Sequence, residues 1–209
     1  MQEMKKLEDI IKYIESDDKV KAFICTQDLK DKDYTTSHNL IMVTKKGQVK
    51  KTSSDKYSKP RVNGVAAITT KEGDELLAAQ LTNGESQIIL AVKSGKSIRF
   101  EEEKVRSMGR TAAGVRGIRL ADDNDEVVGM ICVNDIESSV LVVSENGYGK
   151  RSAVENYRIT NRGGKGVKTI NFCSDRDWHQ TIWRYNLRLS YCSTALPSLL
   201  SICQASMGF

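Results

Sequence analysis

Glycines and cations are packed together in the stretch YRITNRGGKGVKTI, Tyr157 to Ile170, where Gly163, Gly164 and Gly166 lie between Arg162, Lys165 and Lys168. Glycine tolerates a positive φ and lets another molecule approach the main chain, and flanking cations favour an anion there. The chemistry suggested is phosphate binding. Glycine removes the Cβ that would hold a phosphate away from backbone N–H groups, and a neighbouring Arg or Lys can add a charge-assisted bond to the same oxygen. The competing reading is a tight turn between strands whose lysines serve only solubility.

The loop is one member of a series. The sequence repeats a four-strand pattern three times, and the repeats are read as units 17–70, 71–120 and 121–170. Each opens with an acidic turn and an apolar run: DDKVKAFICT, GDELLAAQL and NDEVVGMICV. A second apolar run follows (NLIMVT, QIILAV, SVLVVS), then a glycine turn at Gly47, Gly95 or Gly147, then a short basic run (QVKKT, KSIRF, YGKRS). Aliphatic and β-branched runs joined by a polar residue and glycine predict hairpins. The last strand begins beside Gly64, Gly114 or Gly166, about fifty residues apart. Four strands in so short a unit cannot bury both faces alone, so the units are expected to pack side by side as propeller blades do. The first unit carries an insertion, QDLKDKDYTTSH, expected as a surface loop.

Cations fall at corresponding places in each unit. Lys50, Lys51 and Arg61 are the candidates of the first, and Arg99, Arg110 and Arg116 those of the second. In the third they are Lys150, Arg151, Arg162, Lys165 and Lys168, with Gly163, Gly164 and Gly166 shaping the loop. Acids gather instead at the start of each unit, as in EGDE and ADDNDE. Units in equivalent orientation would line the cations along one rim, a track for a polyanion such as duplex DNA recognised by its backbone rather than its bases. A propeller-like module whose basic rim meets acidic protein surfaces is the rival from another class.

The chain has 209 residues, 28% charged and 39% hydrophobic, with a net charge of +5, which fits a folded protein with a mildly basic surface. Five cysteines without C-x-x-C spacing and two histidines indicate neither a zinc site nor a disulfide framework, and suit a reducing cytoplasm. No metal, cofactor or small-molecule ligand is expected. The charged N-terminal stretch does not read as a signal peptide, and no apolar run is long enough to span a membrane. Gly109 to Gly114 spells G-x-x-x-x-G, but Val115 and Arg116 stand where a P-loop needs Lys and Ser or Thr. No catalytic residue is assigned.

With these residues in view, the chain resembles the C-terminal domain of the A subunit of bacterial DNA gyrase. TNRGGKG (Thr160 to Gly166) is similar to that family's gyrase A box, and MGRTAAGVRGI (Met108 to Ile118) to the degenerate loop of its other blades. VLVVSENGYGKRS and IILAVKSGKSIRF are similar to its strand signatures, and the likeness covers roughly Asp17 to Ile170. It implies an all-β, partial β-pinwheel of about three four-stranded blades. The perimeter would bend and wrap duplex DNA in support of ATP-dependent supercoiling, working with the remainder of gyrase A and with gyrase B in the bacterial nucleoid. The topoisomerase IV counterpart is the alternative within the class. Thr160 and Asn161 replace the Gln and basic residue of the box, which marks a box-like loop of a later blade. The catalytic tyrosine domain lies outside the likeness.

The two ends depart from the pattern. Met4, Leu7, Ile11 and Ile14 share one helical face in an N-terminal segment, 1–16, expected to pack on the core. After Ile170 the repeat stops. The tail, 171–209, holds both tryptophans and three of the five cysteines and is read as lacking a fourth unit's strands. Shifting the codons of Cys173 to Gln180 by one nucleotide permits a polar, turn-containing continuation, so a frameshifted reading is expected.

Overall fold

The computed structural model describes residues 19–26, 29–59, 61, 64–144 and 149–170, and the backbone of 181–185. The expectations for segment 1–16 and for Cys173 to Gln180 lie outside these residues.

Three antiparallel hairpins form the frame, as the alternation of apolar runs and glycine turns predicts. They are β1 (Asn39–Thr44) with β2 (Gln48–Ser53), β4 (Gln87–Val92) with β5 (Lys96–Glu101), and β8 (Ser139–Ser144) with β9 (Gly149–Ala153). Their ladders correspond rung for rung. The first pairs are Asn39–Ser53, Gln87–Glu101 and Ser139–Ala153, and the last are Val43–Val49, Ala91–Ser97 and Val143–Gly149. A 3-10 turn follows each hairpin, at Ser54–Tyr57, Glu102–Lys104 and Val154–Asn156.

The sheets do not coincide with the sequence units. β3 (Leu76–Thr82) and β6 (Val115–Arg116), the first and last strands of the second unit, flank the first unit's hairpin in the order β3-β1-β2-β6. β7 (Val127–Val133) and β10 (Val167–Lys168) of the third unit flank the second hairpin in the same way. Each unit thus lends its outer strands to the sheet before it. The first unit's equivalents differ: residues 19–26 and 64–70, read as strands from sequence, form no strand among the described residues. Val20 and Phe23 are exposed.

The tail differs from its reading, because residues Thr181–Tyr185 form β11, antiparallel to β8. TIWRY is β-branched and aromatic, a composition that suits a strand, and it fills on β8 the seat that β3 fills on β1 and β7 on β4. The first unit's insertion contains a short helix, α1 (Lys32–Ser37), capped by the Asp31 carboxylate accepting from the Asp33 N–H at 2.9 Å.

The middle sheet explains why its strands read as unbroken apolar runs. Ile88, Leu90, Ile98 and Phe100 face one buried cluster shared with Ile41, Val43 and Val49. Ile89, Ile131 and Val133 face a second cluster shared with Val140, Val142 and Val154. Alternate residues of a strand point to opposite faces, and here both faces are covered.

The acids at the start of the second and third units tie each of those units to the hairpin before it, within the sheet the two share. Asp74 accepts the Lys46 N–H of the first hairpin turn, and Asp125 accepts both the Ser94 N–H and the Ser94 hydroxyl of the second, each at 2.9 Å. Glu75 lies 2.6 Å from Lys21 and 2.5 Å from Lys45. Those two ammonium groups, Lys21 first, hold its carboxyl down at about 2.

Candidate nucleic-acid interface

The glycines of the loop first serve docking between strands. Gly114 and Gly166 adopt φ of +92° and +73°, and a Cβ on either would meet a carbonyl oxygen of the adjoining hairpin, Val49 at 2.7 Å or Ser97 at 2.8 Å. Only glycine lets β6 and β10 lie that close. Successive loops also clasp one another. The Gly163 N–H donates to the Gly117 carbonyl at 2.6 Å, and the Gly164 carbonyl accepts the Arg119 N–H at 2.8 Å. The Gly163 N–H is therefore occupied by protein, contrary to the expectation that bare glycine amides await phosphate.

Several expected anion contacts are interior. Lys50 is fully buried, its ammonium donating to the Ala67 carbonyl at 2.6 Å and to that of Arg110, and burial pushes its pKa down. Lys51 donates to the Glu102 carbonyl at 3.2 Å and lies 4.0 Å from its carboxylate. Arg99 is 5% exposed, bonded to the Gln87 side chain and donating to the carbonyls of Val154 and Tyr157 at 2.7 and 2.8 Å. These three cations join one sheet to the next loop or turn, and their charges are spent on protein carbonyls. Arg162 is intermediate. Its Nε donates to the Lys104 carbonyl and one Nη to that of Arg116, so the side chain is held against the preceding loop.

The remaining candidates face solvent. Arg61, Arg116, Lys150, Arg151, Lys165 and Lys168 are exposed, and Arg110 is half-buried. Among the described residues none of these seven forms an ion pair with an acid. Two of them converge. Lys150 and Lys168 line a cleft of about 190 Å³ together with Arg158 and the hydroxyl-bearing Ser97, Ser152 and Thr169, and no acid lines it. Lys150 also donates to the Thr169 carbonyl at 3.3 Å, which holds its ammonium over β10. Positive charge, hydroxyl donors and the absence of carboxylate suit a phosphate group. Arg158 also lines this cleft; it follows Arg106 by the same 52 residues that separate Gly166 from Gly114, so its recurrence in the repeat is the signal that marks it. Arg119 is likewise exposed beside the Gly164 loop, and repetition does not reveal it because Thr69 holds the corresponding place in the first unit.

Among the described residues, no group of His, Cys, Asp and Glu is arranged to hold a metal, and no helix is long and apolar enough to cross a membrane. A larger groove of about 630 Å³ lies between residues 23–25 and the β3 and β7 strands, lined by Phe23, Leu81, Ile131 and Cys132. Its apolar character sets it apart from the basic cleft. Burial and the Glu102 charge push the Cys132 thiol up to about 12, so it stays protonated.

Interlocked four-stranded antiparallel sheets joined by glycine loops define the chain as a β-pinwheel, a propeller whose blades share strands between repeats. The model of the DNA gyrase C-terminal domain, beta-propeller, matches residues 38–83, 87–134 and 138–175. The DNA gyrase A subunit of Staphylococcus epidermidis (strain ATCC 12228 / FDA PCI 1200) is 45% identical over 158 residues, which cover 75% of this chain and 17% of that protein. Its counterpart in Staphylococcus aureus (strain NCTC 8325 / PS 47) is 43% identical over 157 residues, with the same coverage. A solved DNA gyrase A C-terminal domain aligns with a TM-score of 0.64 at 25% identity, covering 75% of this chain and 52% of that one. The C-terminal domain of DNA topoisomerase IV aligns with a TM-score of 0.69 at 24% identity, covering 75% and 49%, and so shares the fold. The chain belongs to the DNA gyrase A C-terminal domain family, and it spans about a sixth of the length of the curated relatives it matches.

Proposed function

We propose that the chain is a DNA-binding and DNA-wrapping part of gyrase A. It contacts the duplex backbone through its glycine-loop cations and supports supercoiling by an enzyme whose other parts, the rest of gyrase A together with gyrase B, perform the chemistry. The observation that carries the reading is the acid-free basic cleft of Lys150, Arg158 and Lys168, to which the solvent-facing Arg116 and Lys165 add exposed positive charge. Such cations neutralise phosphates and release counterions without reading base edges. Work of this kind is done on the bacterial chromosome. The 45% identity to a gyrase A sequence favours gyrase over the topoisomerase IV counterpart, whose domain shares the fold.

Binding of the purified chain to duplex DNA across a salt series tests this. We expect log K to fall with log salt at about −0.9 per phosphate contacted. The triple variant Arg116→Ala, Lys165→Ala, Lys168→Ala should bind more weakly with a shallower slope, whereas Lys45→Ala, at a hairpin turn tied to Glu75 and Glu126, should leave the slope unchanged. Absence of binding by the folded chain at low salt, or a slope indifferent to the triple variant, overturns the proposal and favours a module for acidic protein surfaces.

A further inference from the structure

The glycine loops of the second and third repeats clasp one another within the described residues, and the same junction occurs one repeat earlier in a looser form. In the tight clasp the Arg119 N–H donates to the Gly164 carbonyl at 2.8 Å and the Gly163 N–H to the Gly117 carbonyl at 2.6 Å. The earlier counterpart of the first bond, from the Thr69 N–H to the Ala112 carbonyl, is 3.5 Å long.

A side chain separates the two junctions. Arg162 sends its Nε to the Lys104 carbonyl at 2.8 Å and one Nη to the Arg116 carbonyl at 3.1 Å, so one guanidinium spans the end of the 3-10 turn after β5 and the strand β6. Arg110 holds the same place one repeat earlier, and among the described residues its side chain donates to no carbonyl of the loop before it. A planar fork can keep two carbonyls in a fixed relation, which a single flexible ammonium cannot.

Charge divides the junctions in the same way. Arg116, Arg119 and Lys165 are exposed at the tight one, while Ala66, Thr69 and Ala113 hold their places at the loose one. Arg119 and Lys165 belong to different repeats, yet the residue before Lys165 accepts the Arg119 N–H, and the Arg116 carbonyl is itself held by Arg162. Cations from two repeats thus start from one hydrogen-bonded junction. Arg162, by contrast, is half-buried with its donors on protein carbonyls.

We propose that this junction is a composite phosphate seat in which Arg119 contacts the anion together with Arg116 and Lys165, and in which Arg162 is a positioning residue that touches no phosphate. The inference rests on the DNA reading and specifies how that surface is assembled: the arginine inside the glycine loop acts on DNA only through the cations of the junction it braces. Groups that grip one anion together need their supports fixed beforehand.

Duplex DNA binding by the purified chain across a salt series tests this with Arg162→Lys, which keeps the charge and loses the fork. We expect that variant to bind at least about fivefold more weakly with a shallower salt slope, matching Arg162→Ala, while the circular dichroism spectrum is retained. Hydrogen exchange at the Arg119 amide should quicken. Arg119→Ala should weaken binding by itself, and because that side chain is exposed it keeps the test sound should the Arg162 variants impair folding. With Arg116 and Arg119 both replaced by Ala, Arg162→Lys should change affinity by less than about twofold, since the loop it braces no longer carries its cations. Parent-like binding by Arg162→Lys, a full loss that persists in the double-Ala background, an Arg119→Ala variant that binds as the parent does, or unchanged Arg119 exchange overturns this inference and leaves the DNA reading standing. A folded parent chain that binds no DNA at low salt overturns both.

Discussion

Arg99 and Lys165 are both cations near a glycine, yet one is sealed between sheets and the other lies in solvent. What separates them is the next repeat, whose 3-10 turn closes over Arg99. Removing its head group would leave the Val154 and Tyr157 carbonyls without their donor, so Arg99→Ala should destabilise the fold by about 2–3 kcal/mol, read as a lower urea midpoint. Lys50 predicts a pH effect. Its pKa is lowered in the folded state, so as pH rises toward the ordinary value of 10.5 the unfolded chain holds more protons than the folded one, and stability rises with pH through that window. Lys50→Met should remove this rise, seen as a flattened difference in urea midpoint between parent and variant across alkaline pH. The sequence reveals where cations recur, but not which are buried. Lys50 and Lys150 occupy the same rung and each reaches a carbonyl of its own repeat, Ala67 or Thr169; among the described residues only Lys50 also meets a loop of the following repeat, through the Arg110 carbonyl.

Hairpins were legible because their information is local: alternating β-branched residues, a polar-glycine turn and a second short run. β6 and β10 are two residues long, and nothing nearby says which sheet they join. Their glycines carry that information through a close approach invisible until both partners are in place. Gly166→Ala should therefore act on β10 itself. Its Cβ would lie 2.8 Å from the Ser97 carbonyl at a φ of +73°, costing about 1–3 kcal/mol for the backbone conformation alone. We expect lowered thermal stability and faster hydrogen exchange at the Thr169 amide, which donates to the Gly95 carbonyl in the parent. The tail shows the opposite failure of local reading, since β11 joins β8 although its sequence does not open on the GDE or NDE run that marks β3 and β7.

At the scale of the molecule, fold class followed from the threefold repeat, and the family from the glycine-box loop. Strand sharing between repeats did not, because pairing partners are selected by packing across units. The same distance separates the candidate contacts: Lys150, Arg158 and Lys168 converge only because β10 crosses to the second hairpin while the third folds beside it. Strand sharing also bears on the order in which a ribosome can deliver this fold. The β1–β2 hairpin emerges with its outer edge bare, and the strand that covers it, β6, is translated about sixty residues later, or roughly 3–12 s at typical synthesis rates. Each nascent sheet must wait for the repeat behind it, so slow codons between repeats would lengthen the time during which an unfinished edge is open to the wrong partner.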